Sequence, residues 1–209
     1  MKISNCTHRS RPWRIHEMTG DFRLEDVWEL PGALGHADFP RLVALLAALD
    51  PLHCESFVVR SLFAIRSKLG DLLGLDDAAG GVGSRVSTLR DRLPTDLREG
   101  TPGPDFSALP FTSLYLTDDE WAAESANRTM HGLLHVGRVP DGNGGFRAQL
   151  AIYVKPNGVL GNAYMAAIRP FRYMLVYPLM FDELGRQWRA IVDSSSSLGA
   201  RARRFPPAR

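Results

Sequence analysis

Residues 161–178 read GNAYMAAIRPFRYMLVYP, and the reading of this stretch decides the fold. It is among the most apolar runs in the chain, yet it carries Arg169, Arg172, Pro170 and Pro178. A membrane-spanning helix needs about 20 mostly apolar residues with few or no charges. Here both arginines fall near the middle of the run, so it is read as a helix of a soluble protein. Tyr164, Ile168, Phe171 and Leu175 recur at helical spacing and form the face expected to pack against something flat. Neither proline can donate a backbone hydrogen bond, so a kink or break is expected near residues 166–169 and again near 174–177.

Working outward, the segment GFRAQLAIYVK places Phe146, Ala148, Leu150, Ile152 and Val154 in alternation with Arg147, Gln149 and Lys155. That is a strand with one face built for a core. PDGNGG before it is a hairpin closure, and PNG after it ends the strand where the helical run begins. FTSLYLT, DEWAAES and TMHGLLHVGRV supply three further β-type segments separated by turns. Earlier, RLEDVWELPG reads as a first strand closed by Pro31-Gly32. Asp38 stands ready to cap a helix in which Pro40 falls in the first turn and Leu42, Leu45, Leu46 and Leu49 form a stripe. A second helix follows in residues 55–77, with Val58, Leu62, Ile65, Leu69 and Leu72 at steps of four and three. The fold class is therefore α+β: an antiparallel sheet of about five to seven strands gripping a long C-terminal helix that reaches Trp188, with two helices after the first strand.

The bulk composition fits that reading. With 209 residues and 44% hydrophobic content the chain can bury one sizeable core. The expected organisation is a basic N-terminal arm over 1–20, a single domain over 21–190, and a disordered basic tail over 191–209, where SSSS precedes RARRFPPAR. Glycine and proline crowd residues 76–110, which read as a long loop or lid. Its GGVG lacks the Lys-Ser/Thr ending of a phosphate loop. A net charge of +2 is too small to imply a nucleic-acid partner. The opening residues have no apolar core of signal-peptide length, so a cytoplasmic location is expected. Cys6 and Cys54 form neither a CxxC motif nor a disulfide framework.

With these segments in place, the chain resembles the START-like superfamily, also called the helix-grip, Bet v-like or SRPBCC fold, and within it an uncharacterised bacterial family of domains of unknown function. The likeness rests on EWAAESANRTMHGLLHVG, VKPNGVLGNAYMAAIRPFRYMLVYP, DVWELPG and RSKLGDLLGLD, and extends over roughly residues 8–188. It implies a sheet closed on a C-terminal helix, with a pocket between them that often holds an apolar small molecule. It implies no catalytic residue, because fold does not fix function. The superfamily usually has six or seven strands where five are legible here. Either strands lie within 76–110, or the sheet is reduced.

Candidate chemistry centres on HGLLH, residues 131–135. On a helix this i, i+4 pair could share one metal ion. On a strand the two residues lie roughly 13 Å apart, too far for one zinc, and the hairpin context favours the strand, so no metal and no cofactor are expected. Thr129, His131, Leu133 and His135 then share one face, with Met130, Leu134 and Val136 on the other. Two readings stand. Either the histidine face meets the C-terminal helix and His131 becomes the principal polar group of the pocket, or the apolar face does and His131 is a surface residue. Glu124 is close enough in sequence to pair with His131, which makes this pair the candidate catalytic acid–base, with a hairpin-pinning salt bridge as the alternative. Candidate ligand-binding residues are Trp121, Asn127, His131, His135, Tyr153, Tyr164, Ile168 and Phe171. The expected partner is a hydrophobic small molecule, with no nucleic acid and no membrane. Two alternatives to a binder remain open: an enzyme of secondary metabolism on the same fold, and a protein-interaction module whose cavity is filled by side chains.

Overall fold

A computed structural model describes residues 1–50, 82, 86–171 and 177–204; the side chains of residues 160, 164, 167–171 and 195–204 lie outside the description. The expected second helix, residues 55–77, falls outside the described residues.

Six strands form one antiparallel sheet: β1 (Lys2–Ile3), β2 (Arg23–Glu29), β3 (Thr112–Leu116), β4 (Glu120–Ala126), β5 (Met130–Pro140) and β6 (Phe146–Pro156), in the order β1-β2-β6-β5-β4-β3. The five strands read from sequence are all present. The sixth described strand is near the N-terminus, where Lys2 and Ile3 pair with Trp28 and Val27. Two residues carry no periodicity, so nothing in the sequence marks them. β5 and β6 form the longest ladder, and their turn closes as the composition predicts. Asp141 accepts from the backbone N–H groups of Asn143 and Gly145, and Gly142 takes the left-handed conformation, with φ of 82°, that the turn needs.

Along each strand alternate residues face opposite sides, and both sides are covered. One face carries Trp121, Ala123, Leu134, Val136, Ala148, Leu150 and Ile152. Helix α2 (Phe39–Ala48) packs on this face through Phe39, Leu42, Val43 and Leu46. Asp38 stands at its N-cap position, but its carboxylate accepts from Gly35 rather than from the helix. The C-terminal helices share the face: α4 (Gly158–Phe171), and α5 (Tyr177–Arg204), which docks through Leu184 and Trp188. α4 is helical through residues 166–170, where a break was expected, and residues 172–176, which span most of the second expected break, lie outside the description. α5 continues past Trp188 to Arg204, into the segment read as a disordered tail.

The second face carries Leu24, Val27, Leu133, Ala151 and Tyr153. Its cover comes from two places that the sequence presents as an arm and a loop. The N-terminal residues, including α1 (Asn5–Arg9) and a 3-10 turn over Arg14–Glu17, bury His8, Trp13, Ile15 and Met18. A 3-10 turn over Leu89–Arg92 and helix α3 (Thr95–Glu99) bury Leu89, Leu93 and Leu97. This part of the expected lid is thus part of the core, because leucines at steps of four point one side of the segment at the sheet. Arg14 clamps the two covers together with a bidentate pair to Asp96.

Candidate functional site

The VKPNG segment positions the C-terminal helices. Asn157 donates through its side chain to the carbonyl of Asn127 and through its backbone to that of Thr129, tying the end of β6 to the β4–β5 turn. Gly158, at φ 66°, turns the chain into α4. Gly161 then seats the first turn so closely on that β-turn that a Cβ there would lie 2.1 Å from the Thr129 oxygen. The helix is therefore fixed at its start and spans the sheet from that point.

Between α4, α5 and the sheet lies a cavity of about 130 Å³. Its described walls include Met130 and Leu134 of β5, Ile152 and Val154 of β6, Phe111, Met165 and Tyr177. Gly132 completes the floor and contributes no side chain, which is where part of the space comes from. The sole polar side-chain group among these walls is the Tyr177 hydroxyl, which donates to the buried carboxylate of Asp26 at 3.3 Å. Lys2 stands 3.6 Å from the same carboxylate. Such a space favours an apolar body with at most one polar end.

The candidate pair from the sequence lies on the opposite face. Met130, Gly132 and Leu134 point at the cavity, so strand alternation turns His131 and His135 away from it. Neither histidine is at the surface, as the second reading expected: His131 is 4% exposed and His135 fully buried beneath the two covers. Register explains their partners. Ala122 stands opposite His135 and Glu124 opposite Leu133, so each glutamate of β4 reaches one histidine of β5 diagonally. His131 donates to Glu124 at 2.8 Å, and His135 to Glu120 at 3.1 Å.

Each carboxylate also fastens one cover. Glu124 accepts from the backbone of Leu89 and from the Thr88 hydroxyl. Glu120 accepts from the backbone N–H groups of Arg14 and Ile15, at 2.9 and 3.3 Å, and from the Tyr115 hydroxyl. Burial pushes both carboxyls upward in pKa, but the hydrogen bonds and the histidines outweigh it and hold both below the usual glutamate value. Burial raises Tyr115 and Tyr153, keeping both phenols protonated. Tyr153 points into this layer, where its hydroxyl lies 3.0 Å from Nε2 of His8.

Of the other expected ligand residues, Trp121 is packed solid on the helix face, stacked on Phe106 with its indole N–H on Ser113. Asn127 closes the β4–β5 turn, its side chain accepting from Thr129 and Met130. The side chains of Tyr164, Ile168 and Phe171 lie outside the description. Missing from the sequence reading as wall residues are Gly132 and Met165. The alternation of TMHGLLHV already carries the signal for Gly132, since a glycine on the apolar face of a core strand leaves a gap beneath the helix. Glu120, His8 and His16 were also missed in the polar layer. Glu120 and Glu124, at i and i+4 on one strand face opposite HGLLH, are the trace of it in sequence.

Among the described residues no three His, Cys, Asp or Glu side chains are grouped to hold a metal ion, and no helix is long and apolar enough to cross a membrane. The family model described as "Protein of unknown function (DUF2867)" matches residues 18–179. No curated protein and no solved structure matches the chain.

Proposed function

Because the chain belongs to the DUF2867 family, an uncharacterised bacterial domain within the SRPBCC helix-grip superfamily, we propose that it binds a small hydrophobic or amphipathic molecule between the sheet and helices α4 and α5. The observation that supports this reading is the apolar cavity floored by Gly132 and Leu134 and lined by Met165 and Tyr177. A dry apolar cavity of about 150 Å³ accommodates a benzene-sized molecule. The described walls therefore suit one ring or a short branched alkyl segment, with its polar end toward the Tyr177 hydroxyl. No observation at the cavity favours the enzymatic alternative, since His131 and Glu124 lie across the sheet and spend their hydrogen bonds on each other and on Leu89. Native mass spectrometry of protein purified without refolding tests the reading: a bound small molecule of that size is expected. Absence of any adduct, together with no uptake of an apolar reporter dye, counts against it.

A further inference from the structure

The far face of the sheet holds a feature that ligand binding does not use. His8 of the N-terminal arm, His16 of the following turn and His135 of β5 converge, with ring centroids 5.6 Å apart for His8 and His16 and 5.2 Å for His8 and His135. One nitrogen of each ring is buried without a hydrogen-bond partner: Nδ1 of His8, Nε2 of His16 and Nδ1 of His135. His135 has the Glu120 carboxylate, but among the described residues His8 has no acidic partner; its other nitrogen meets the Tyr153 hydroxyl of β6.

From this arrangement we infer that the N-terminal arm is an acid-released strap, which lifts from the sheet when its histidines take up protons while the rest of the fold stays closed. The charges around His8 all act in that direction. Burial comes first, then His135 from β5, His16 from the turn, and Arg11 and Arg9 from the arm itself, and together they depress His8 from 6.5 to about 3. His16 is lowered by burial and by His135, against the pull of Glu120. Glu120, on β4, is held in turn by Tyr115 of β3 and by the arm's own backbone. A lifted arm gives His8 its ordinary titration in water. The folded value lies below the free one, so the stabilisation is fully present above about pH 6.5 and is lost as pH falls toward 3. The attachment of Leu89–Arg92 through Glu124 involves no arm histidine among the described residues.

Backbone hydrogen exchange on the full chain, corrected for the intrinsic pH dependence, tests this. Between pH 7.5 and 5.0, protection of arm amides over residues 8–19 is expected to fall about 30-fold from His8 alone. Amides of residues 133–136 and 150–154 should keep theirs. In His8→Phe, which cannot take a proton, most of the fall should vanish. Protection of the arm that does not change with pH, or is lost together with that of β5 and β6, overturns the inference, as does an undiminished fall in a folded His8→Phe. If that variant does not fold, the wild-type profile alone decides. The ligand cavity lies on the other face, so this outcome is independent of whether a ligand binds.

Discussion

Replacing Gly132 with valine should make the protein more stable and a worse binder at the same time. A Cβ built at Gly132 meets only the mobile end of Met130 at 3.6 Å and the Ser125 oxygen at 3.7 Å, which are ordinary contacts. The backbone there is regular β5 strand in register with Val154, so a β-branched residue fits the conformation. Valine adds three carbons to the cavity floor, worth about 0.8 kcal/mol each when buried, or about 2.4 kcal/mol. Relief of the glycine's entropy cost adds roughly 0.5–1 kcal/mol. A net gain of about 3 kcal/mol corresponds to a rise in Tm of roughly 6–12 °C in a chain of this size. Those same carbons occupy the space proposed for the ligand, so affinity for an apolar reporter should drop at least about tenfold, the equivalent of 1.4 kcal/mol. Thermal unfolding followed by circular dichroism gives the first quantity and a dye titration the second. A fall in Tm would mean that the space beneath α4 is not there. A rise in Tm with unchanged dye binding would place the ligand elsewhere.

Gly161→Ala should destabilise, although alanine gains about 1 kcal/mol over glycine inside a helix, because its Cβ meets the Thr129 carbonyl, itself held by Asn157. Overpacking against rigid backbone costs about 1–3 kcal/mol or more, so Tm should fall by a few degrees, and a rise would unseat the helix start described above. Glu124→Gln should cost about 1–3 kcal/mol at pH 7 by chemical denaturation, through its weakened hold on His131 and Leu89. Since the Glu124 pKa is lowered on folding, its share of stability is complete above the ordinary value near 4.5 and disappears as pH falls below it. The variant should therefore show a flatter acid limb than the wild type, and an equally steep limb would contradict the assignment. Trp188→Ala should cost about 3–5 kcal/mol, as the indole is 1% exposed, donates to the Ala33 carbonyl and lies flush against Gly32. A loss under 1 kcal/mol in denaturant titration would show that α5 is not anchored there.

The strands that announce themselves in sequence do so through alternation and turns: β6 by its five apolar positions, the β5–β6 hairpin by PDGNGG, and β2 by its closure at Pro31-Gly32. The face that meets the helices is equally legible, because Leu134, Val136, Leu150 and Ile152 are apolar at period two. What could not be read was the second cover. A two-sided antiparallel sheet should show apolar residues at nearly every position, and here the far face is written in Glu120, Glu124, His131 and His135. In sequence those residues signal solvent or chemistry; in the structure they are buried and paired with one another across the register. Residues 1–20 and 86–97 failed to declare themselves for a related reason. Their arginines, glycines and prolines dominate the composition, while the few residues that dock, such as Trp13, Ile15, Leu89 and Leu93, sit on or beside elements too short to stand out as a sustained pattern. The cavity was expected from the family resemblance, and its walls from the helix stripe. The structure places Gly132 and Met165 there as well, and the contributions of Tyr164, Ile168 and Phe171 stay with the proposal.

The clasp between the arm and the sheet also sets an order of events during synthesis. His8 finds Tyr153 across 145 residues of chain, and the Arg14 and Ile15 amides find Glu120 across 106 and 105. At about 5–20 residues per second on the ribosome, His8 is made roughly 7–30 s before its partner. The cluster that houses Trp13, Ile15 and Met18 is therefore incomplete until Ala151 and Tyr153 of the last hairpin have been translated. The arm is made well before the strands that house it, and it is there that a nascent chain of this protein most needs shielding from its neighbours.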